Sequence, residues 1–378
     1  MLATWLIVVI AVVGGIIALL LLTKIITSCC IHKDNPYSLE FNGKVVIVTG
    51  GTSGIGIVTL EEIFLKGATV IFTGRNDKAA REEIIPRLRA RLESTKARSG
   101  GSVASQPLNS PASDVAQLDE GTWDGKGNFS STFLYFRKLD QSDLEDVKVF
   151  ADWVSSKFQS VFQIINNAGA VYEQFKLTKQ NVEFTMGVNH LSHYFLVELL
   201  YDKLAPEGRV VSVASVAHQQ NDNVAGERTN WDEYFFPTKE KFGYWKAYCL
   251  SKLANVLFTD ALALALRRDS KNAKATSLHP GVIRSNFFSR AGCFISTLTM
   301  IGYPIMWSFT KSVEQGAQTT LFCANAPYDK ITSGEYYADC APSNKSKRVS
   351  AANATSFLNE SARIIEASTA HKIKHLRL

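Results

Sequence analysis

A glycine cluster between an apolar β-rich run and a helical pattern constrains this chain more than any other feature. Val45–Val48 is followed by Thr49-Gly50-Gly51-Thr52-Ser53-Gly54-Ile55-Gly56, and Val58–Lys66 then reads as a helix. A strand apolar at every position must be buried on both faces, which a parallel sheet between two helix layers provides. The alternation continues: Thr69–Phe72, Phe133–Phe136, Phe162–Ile165, Arg209–Val213 and Ala275–Leu278 read as strands, and Asp77–Glu93 as a charged amphipathic helix. With right-handed crossovers this predicts a single α/β domain built on a doubly wound parallel sheet.

Two segments stand outside that pattern. Ser94–Ser131 is rich in Ser, Gly, Ala and Pro, and is expected to be a flexible surface insertion, residues 94–131. Leu2–Thr23 is an uncharged run; as a helix its 22 residues rise about 33 Å, enough for a hydrocarbon core of about 30 Å. It lacks the basic start and short apolar centre of a cleaved signal, so residues 1–27 are expected to form a transmembrane anchor. Lys24 and Lys33 follow the run, which by the positive-inside rule leaves the body cytoplasmic.

Charge and cysteine usage exclude several classes. The net charge of +6 is dispersed, without the basic patches and interleaved aromatics of a nucleic-acid binder. Only the tail 368–378 concentrates it, and His371–Arg377 is expected to face solvent. The six cysteines form no C-x-x-C pair; Cys29 and Cys30, just past the apolar run, are either acylated or plain thiols. His190, His193, His218 and His279 lack metal-ligand spacing and are expected to be structural, so no metal is assigned.

The glycine cluster, opening a helix, suits a dinucleotide pyrophosphate, with Gly50, Thr52, Ser53, Gly54, Ile55 and Gly56 around it. Where an NAD site places a carboxylate, about 20 residues on, the second strand ends Gly74-Arg75-Asn76. A guanidinium suits a 2′-phosphate, which points to NADP(H) over NAD(H); the alternative is an arginine facing water. Tyr248 and Lys252 are four apart and share a helix face. A nearby ammonium would lower a phenol pKa from about 10 toward the working range.

Thr49-Gly50-x-x-x-Gly54-Ile55-Gly56, Asn166-Asn167-Ala168-Gly169, Tyr248-x-x-x-Lys252 and Pro280-Gly281 together resemble the short-chain dehydrogenases/reductases. Asn189-His190-Leu191-Ser192-His193, Ala247–Asn255 and Gln315–Thr319 are similar to the membrane-bound retinol-dehydrogenase branch. The resemblance runs from Phe41 to Ala367, residues 41–367, and implies a Rossmann-type domain. It implies Tyr248 as proton donor or acceptor, Ser215 on the reacting oxygen, Lys252 also on the nicotinamide ribose, and Asn189 in a water-linked proton relay. It puts Asn167, Ala168 and Gly169 beside the adenine ribose and Asp140 at the adenine. Pro280, Gly281 and Ile283 then border the nicotinamide, with Ser285 where relatives carry threonine. Taken singly these residues also have ordinary readings: an exposed helix pair, a strand end, a helix cap.

Substrate selection is expected in Asn221–Lys241 and after Gly281, where Phe287, Phe288 and the uncharged run Cys293–Phe309 suggest a lid or interfacial helix. The implied partners are a lipophilic small molecule (a retinoid, a sterol or a long-chain carbonyl) and the bilayer; a membrane complex or a homodimer stays open. The resemblance implies the endoplasmic reticulum membrane with the catalytic domain in the cytosol, a mitochondrial membrane being the alternative. The competing reading is a cofactor-binding structural subunit of a membrane complex.

Overall fold

Nine strands make one sheet in the order β3-β4-β2-β1-β5-β6-β7-β8-β9. The strands are β1 (Val45–Val48), β2 (Thr69–Gly74), β3 (Val115–Trp123), β4 (Phe129–Lys138), β5 (Val161–Asn166), β6 (Leu204–Val213), β7 (Ala273–His279), β8 (Tyr336–Ala338) and β9 (Ala341–Pro342). All neighbours pair in parallel except β3 with β4 and β8 with β9. This computed structural model describes residues 5, 10, 12–15, 17–22, 33–98, 115–123, 129–220, 230–283 and 310–378.

The principal helices are α1 (Ile55–Leu65), α2 (Ile85–Arg98), α3 (Leu144–Lys157), α4 (Ser192–Leu200), α5 (Tyr244–Arg268), α6 (Val313–Asn325) and α7 (Ala351–Thr369). They cover both faces of the sheet, so the apolar strands are buried twice over. One core holds Phe150, Phe195, Leu257 and Phe357; the other holds Phe64, Phe72, Phe136 and Leu321. Burying such a side chain stabilises the fold by about 1.5–3 kcal/mol, which is why the central strands keep their apolar runs. Arg209 on β6 is buried too, and donates to the carbonyls of Cys323 (2.8 Å), Ala324 (2.9 Å) and Ala326 at the end of α6. It satisfies acceptors that a helix C-terminus leaves open.

Within the expected 94–131 insertion, β3 pairs antiparallel with β4 from Val115↔Arg137 to Trp123↔Phe129. An edge strand needs one ladder of backbone hydrogen bonds and no continuous apolar pattern, so composition hid it. Residues 99–114 and 124–128 lie outside the described residues. The basic tail keeps Lys372, Lys374 and Arg377 exposed as expected, but its backbone and apolar residues are docked. Leu376 is fully buried, and the Glu198 carboxylate on α4 accepts from the N–H groups of Lys374 (2.7 Å), His375 (3.1 Å) and Leu376 (2.8 Å).

Within the N-terminal apolar run, residues 12–15 and 17–22 are helical, with Val12, Ile17 and Leu19 exposed; its other residues, apart from Trp5 and Ile10, lie outside the described set, as do Cys29 and Cys30. Among the described residues one helix is long and apolar enough to cross a membrane, Tyr244–Arg268, yet 89% of its most apolar window is buried inside the body. It is a core helix, and it carries Tyr248 and Lys252.

Candidate active site

Leaving β1 the chain moves outward to β2 and β4, and then returns to the other side of β1 as β5. Ligands of such sheets bind outside the carboxyl ends of the strands at this switch point, where Thr49–Gly56 and Asn166–Gly169 meet. Gly50 has φ +66°, and a Cβ there would lie 2.8 Å from the Cα of Ala168. At Gly56 a Cβ would lie 2.3 Å from the carbonyl oxygen of Gly50. These two glycines are required by close backbone approach. Gly54 differs: it has φ +56°, and nothing lies within 4 Å of where its Cβ would point. As N-cap of α1 it makes no side-chain cap, and the first turn holds no acid. An open, uncapped helix N-terminus beside glycine backbone fits an anionic pyrophosphate. Ser53 is exposed beside it, while Thr52 and Ile55 are partly buried.

The side chain of Asn167 faces the loop itself: its Nδ2 donates to the carbonyls of Thr49 (2.8 Å) and Gly50 (3.2 Å). The backbone N–H groups of Asn167 and Ala168 both donate to Thr49 Oγ1 at 3.0 Å. Thr49, which the sequence reading passed over, is therefore the hinge pin between the two loops; its place beside Gly50 was the available signal. Gly169 is exposed. Arg75, at the end of β2, is exposed and has no ion-pair partner among the described residues. Two expected cofactor contacts have structural tasks. Asn76 Oδ1 accepts from Ala79 N (3.1 Å) as a helix cap, and Asp140 Oδ1 accepts from the N–H (2.9 Å) and hydroxyl (2.7 Å) of Ser142.

Ser215 follows the end of β6, and Tyr248 lies in the first turns of α5. The two side chains are hydrogen-bonded, and both are nearly buried at 7% exposure. Lys252 lies one turn along the helix, its Nζ 5.7 Å from the Tyr248 ring centroid and donating to the carbonyl of Val213 at 2.9 Å. Burial pushes the phenol up to about 12, with the Ser215 hydrogen bond opposing it. Burial also pushes the ammonium down to about 8. Desolvation is the main cause of both shifts, and the Lys252 ammonium is bonded to the Val213 carbonyl.

Asn189 does not reach the Ser215–Tyr248 pair with its side chain. It exchanges hydrogen bonds with the backbone of Ala170 (2.7 and 3.0 Å) and donates to Ser251 Oγ (3.0 Å). Ser251 in turn donates to the carbonyl of Tyr248 at 2.8 Å, so Asn189 steadies the helix that carries the phenol. Asn189 sits in a π-turn, Gly187–Leu191, and its backbone carbonyl meets a side-chain donor from the next turn. That carbonyl accepts from His193 Nδ1 at 3.0 Å, which fixes the tautomer and leaves Nε2 to Gln141 (2.7 Å) and Thr49 (2.9 Å). His218 plays a similar part: its Nε2 accepts from Ser346 N (3.1 Å) and its Nδ1 donates to the carbonyl of Ser215 (2.6 Å). Expected to be structural, both histidines are structural at the site's own backbone.

Pro280 is buried after β7, and Gly281, with φ +91°, lies against Lys311 so closely that a Cβ would fall 2.5 Å from its Cδ. Ile283 forms a bridge with Lys311. Ser285, Phe287, Phe288 and the run Cys293–Phe309 lie outside the described residues, as do residues 221–229 of the other expected substrate segment.

A family model described as short chain dehydrogenase matches residues 115–226. Retinol dehydrogenase 12 of Homo sapiens is 31% identical over 305 residues, covering 80% of each chain. This chain belongs to the short-chain dehydrogenase family. It is similar to several retinol dehydrogenases, and also to the chloroplastic short-chain dehydrogenase TIC 32 A of Brassica napus, 29% identical over 322 residues, covering 82% of this chain and 86% of that one. A short chain dehydrogenase from Burkholderia cenocepacia, in complex with NADP, has a TM-score of 0.51 at 18% identity, covering 79% of this chain and 96% of that one. An uncharacterised protein from Mycobacterium paratuberculosis has a TM-score of 0.57 at 24% identity, covering 89% and 97%. These solved structures establish the fold. Family and relatives together make this short-chain dehydrogenase a nicotinamide-dependent oxidoreductase of the alcohol–carbonyl pair, retinol-dehydrogenase-like in sequence.

Proposed function

We propose that this short-chain dehydrogenase is a membrane-anchored, NADP(H)-dependent enzyme that interconverts a carbonyl and an alcohol on a lipophilic substrate. The observation that carries the reading is the buried hydrogen bond between Ser215 and Tyr248, with Lys252 one turn along α5. When bound, the nicotinamide supplies or accepts a hydride. The Tyr248 hydroxyl gives its proton to the substrate oxygen in reduction and takes one in oxidation. The Ser215 hydroxyl holds that oxygen in place. Lys252, released from the Val213 carbonyl, would donate to the nicotinamide ribose. Gly50, Gly54 and Gly56 with the N-terminus of α1 would receive the pyrophosphate, and Arg75, exposed and without an ion-pair partner among the described residues, supports NADP(H) over NAD(H). The apolar run Leu2–Thr23 supports a single-pass anchor, which in the endoplasmic reticulum would leave the domain in the cytosol.

The other reading, a cofactor-binding subunit without catalysis, leaves unexplained why a serine, a phenol and an ammonium share one buried corner. The experiment that separates the two is NADPH oxidation by purified protein across a panel of lipophilic aldehydes and ketones. Turnover with at least one supports the enzyme; tight NADPH binding with no turnover on any compound supports the subunit.

A further inference from the structure

The chain that leaves the N-terminal apolar run lands beside the catalytic mouth. The Lys33 carbonyl lies 3.5 Å from the Sγ of Cys340, in the tight turn between β8 and β9. The preceding residue of that turn, Asp339, pairs with Lys311. Lys311 in turn donates its backbone N–H to the carbonyl of Val282 at 2.8 Å. Val282 follows Gly281, so the stem meets the body at the nicotinamide end of the cleft. It is held there. Asn35 N donates to Gln318 Oε1 at 3.1 Å, and the Tyr37 ring packs on Phe322 at 5.5 Å, both partners being on α6.

The same rim is apolar. The described body carries six exposed large apolar side chains, and three of them border the site: Val216, Trp245 and Val282, at 48%, 44% and 55% exposure. Val216 follows Ser215 at the end of β6, and Val282 lies past the end of β7, the neighbouring strand. The Trp245 ring lies 5.6 Å from that of Tyr248, one helical turn before it. Exposed apolar side chains gathered at one place mark a contact surface, and an indole is suited to a membrane–water interface.

We propose that the docked stem holds this short-chain dehydrogenase with its catalytic mouth against the bilayer, the rim of Val216, Trp245 and Val282 entering the lipid interface. The proposal rests on the reading of the apolar run as a membrane anchor. The lipid is the chosen partner because the exposed apolar helix of that run and the rim are joined by a stem pinned at both Cys340 and Gln318. A substrate dissolved in the bilayer then meets the site without crossing water.

The test uses the full chain in phosphatidylcholine vesicles with and without brominated acyl chains, which quench tryptophan emission on contact. Of the six tryptophans, Trp245 is compared with Trp153 on α3 by the variants Trp245→Phe and Trp153→Phe. The expected result is loss of part of the quenched emission in Trp245→Phe and of unquenched emission only in Trp153→Phe. Quenched emission that is unchanged by Trp245→Phe, in protein that floats with the vesicles, overturns the proposal while leaving the anchor. Failure to float at all removes the anchor, and the proposal with it. The double variant Asn35→Ala, Tyr37→Ala should still float but lose the Trp245 quenching; persistence of that quenching contradicts the stem's part. Turnover in detergent reports on catalysis independently of every one of these outcomes.

Discussion

Replacing Arg75 by alanine should separate the two nicotinamide cofactors without touching the fold. The side chain is exposed at the end of β2, with no ion-pair partner among the described residues, so its removal leaves no buried group unsatisfied. Stability should change by no more than about 0.5 kcal/mol, the range of ordinary surface substitutions. A guanidinium on a 2′-phosphate makes charge-assisted hydrogen bonds with a net worth of about 1.5–3 kcal/mol. That corresponds to roughly 10- to 150-fold in affinity, with solvent screening favouring the lower part of the range. NADH carries a hydroxyl in place of that phosphate, and its affinity should change less than about threefold. Titration of both cofactors by fluorescence, at two ionic strengths, reads this directly. NADPH binding should weaken with salt in the wild type and lose most of that dependence in Arg75→Ala. Tighter NADH than NADPH binding in the wild type, or equal loss of both cofactors in the variant, would refute the assignment of Arg75.

Three further outcomes follow from particular contacts. Gly50→Ala forces a Cβ to within 2.8 Å of the Ala168 backbone at φ +66°, and should cost about 1–3 kcal/mol in stability and abolish NADPH binding, measured by thermal denaturation and titration. Glu198→Ala removes the acceptor of three tail N–H groups; with water replacing it at the exposed ones, the net cost is about 3 kcal/mol. Hydrogen exchange at Lys374–Leu376 should then accelerate about 100-fold, with unchanged protection at β1. Burial pushes His190 down to about 3, and His193 and His279 to about 4, so between pH 6.5 and 4 the unfolded chain binds more protons than the folded one. Stability must therefore fall as pH drops through that window, and His193→Gln should make the fall shallower in denaturant titrations at pH 4.5 and 7.

The sheet's central strands were legible because burial on both faces demands apolar residues at every position; Val45–Val48 carries that demand openly. β3 was not, since Val115–Trp123 mixes acids, glycine and the polar residues Gln117 and Thr122, and an edge ladder places no such demand. The site's outline was legible as short motifs, because backbone approach at Gly50 and Gly56 admits one residue type only. Its support was hidden in sequence distance. Thr49 meets His193 from 144 residues away, and His218 meets Ser346 from 128. The tail's exposed charges were legible, while the docking of its backbone was hidden for a similar reason, being decided by one carboxylate on α4, Glu198, far upstream. Asp140 and Asn76 carry a local task that motif position does not reveal, since their side chains also close turns beside the loops they belong to.

The Tyr248→Phe variant bears most directly on the catalytic reading. It removes one hydroxyl from a phenol hydrogen-bonded to Ser215 and leaves the buried ring in place. Mixed with NADPH and an accepted aldehyde in a single turnover, it should bind cofactor as the wild type does and reduce the aldehyde about 100- to 10,000-fold more slowly. Reduction at the wild-type rate would show that the proton comes from another group.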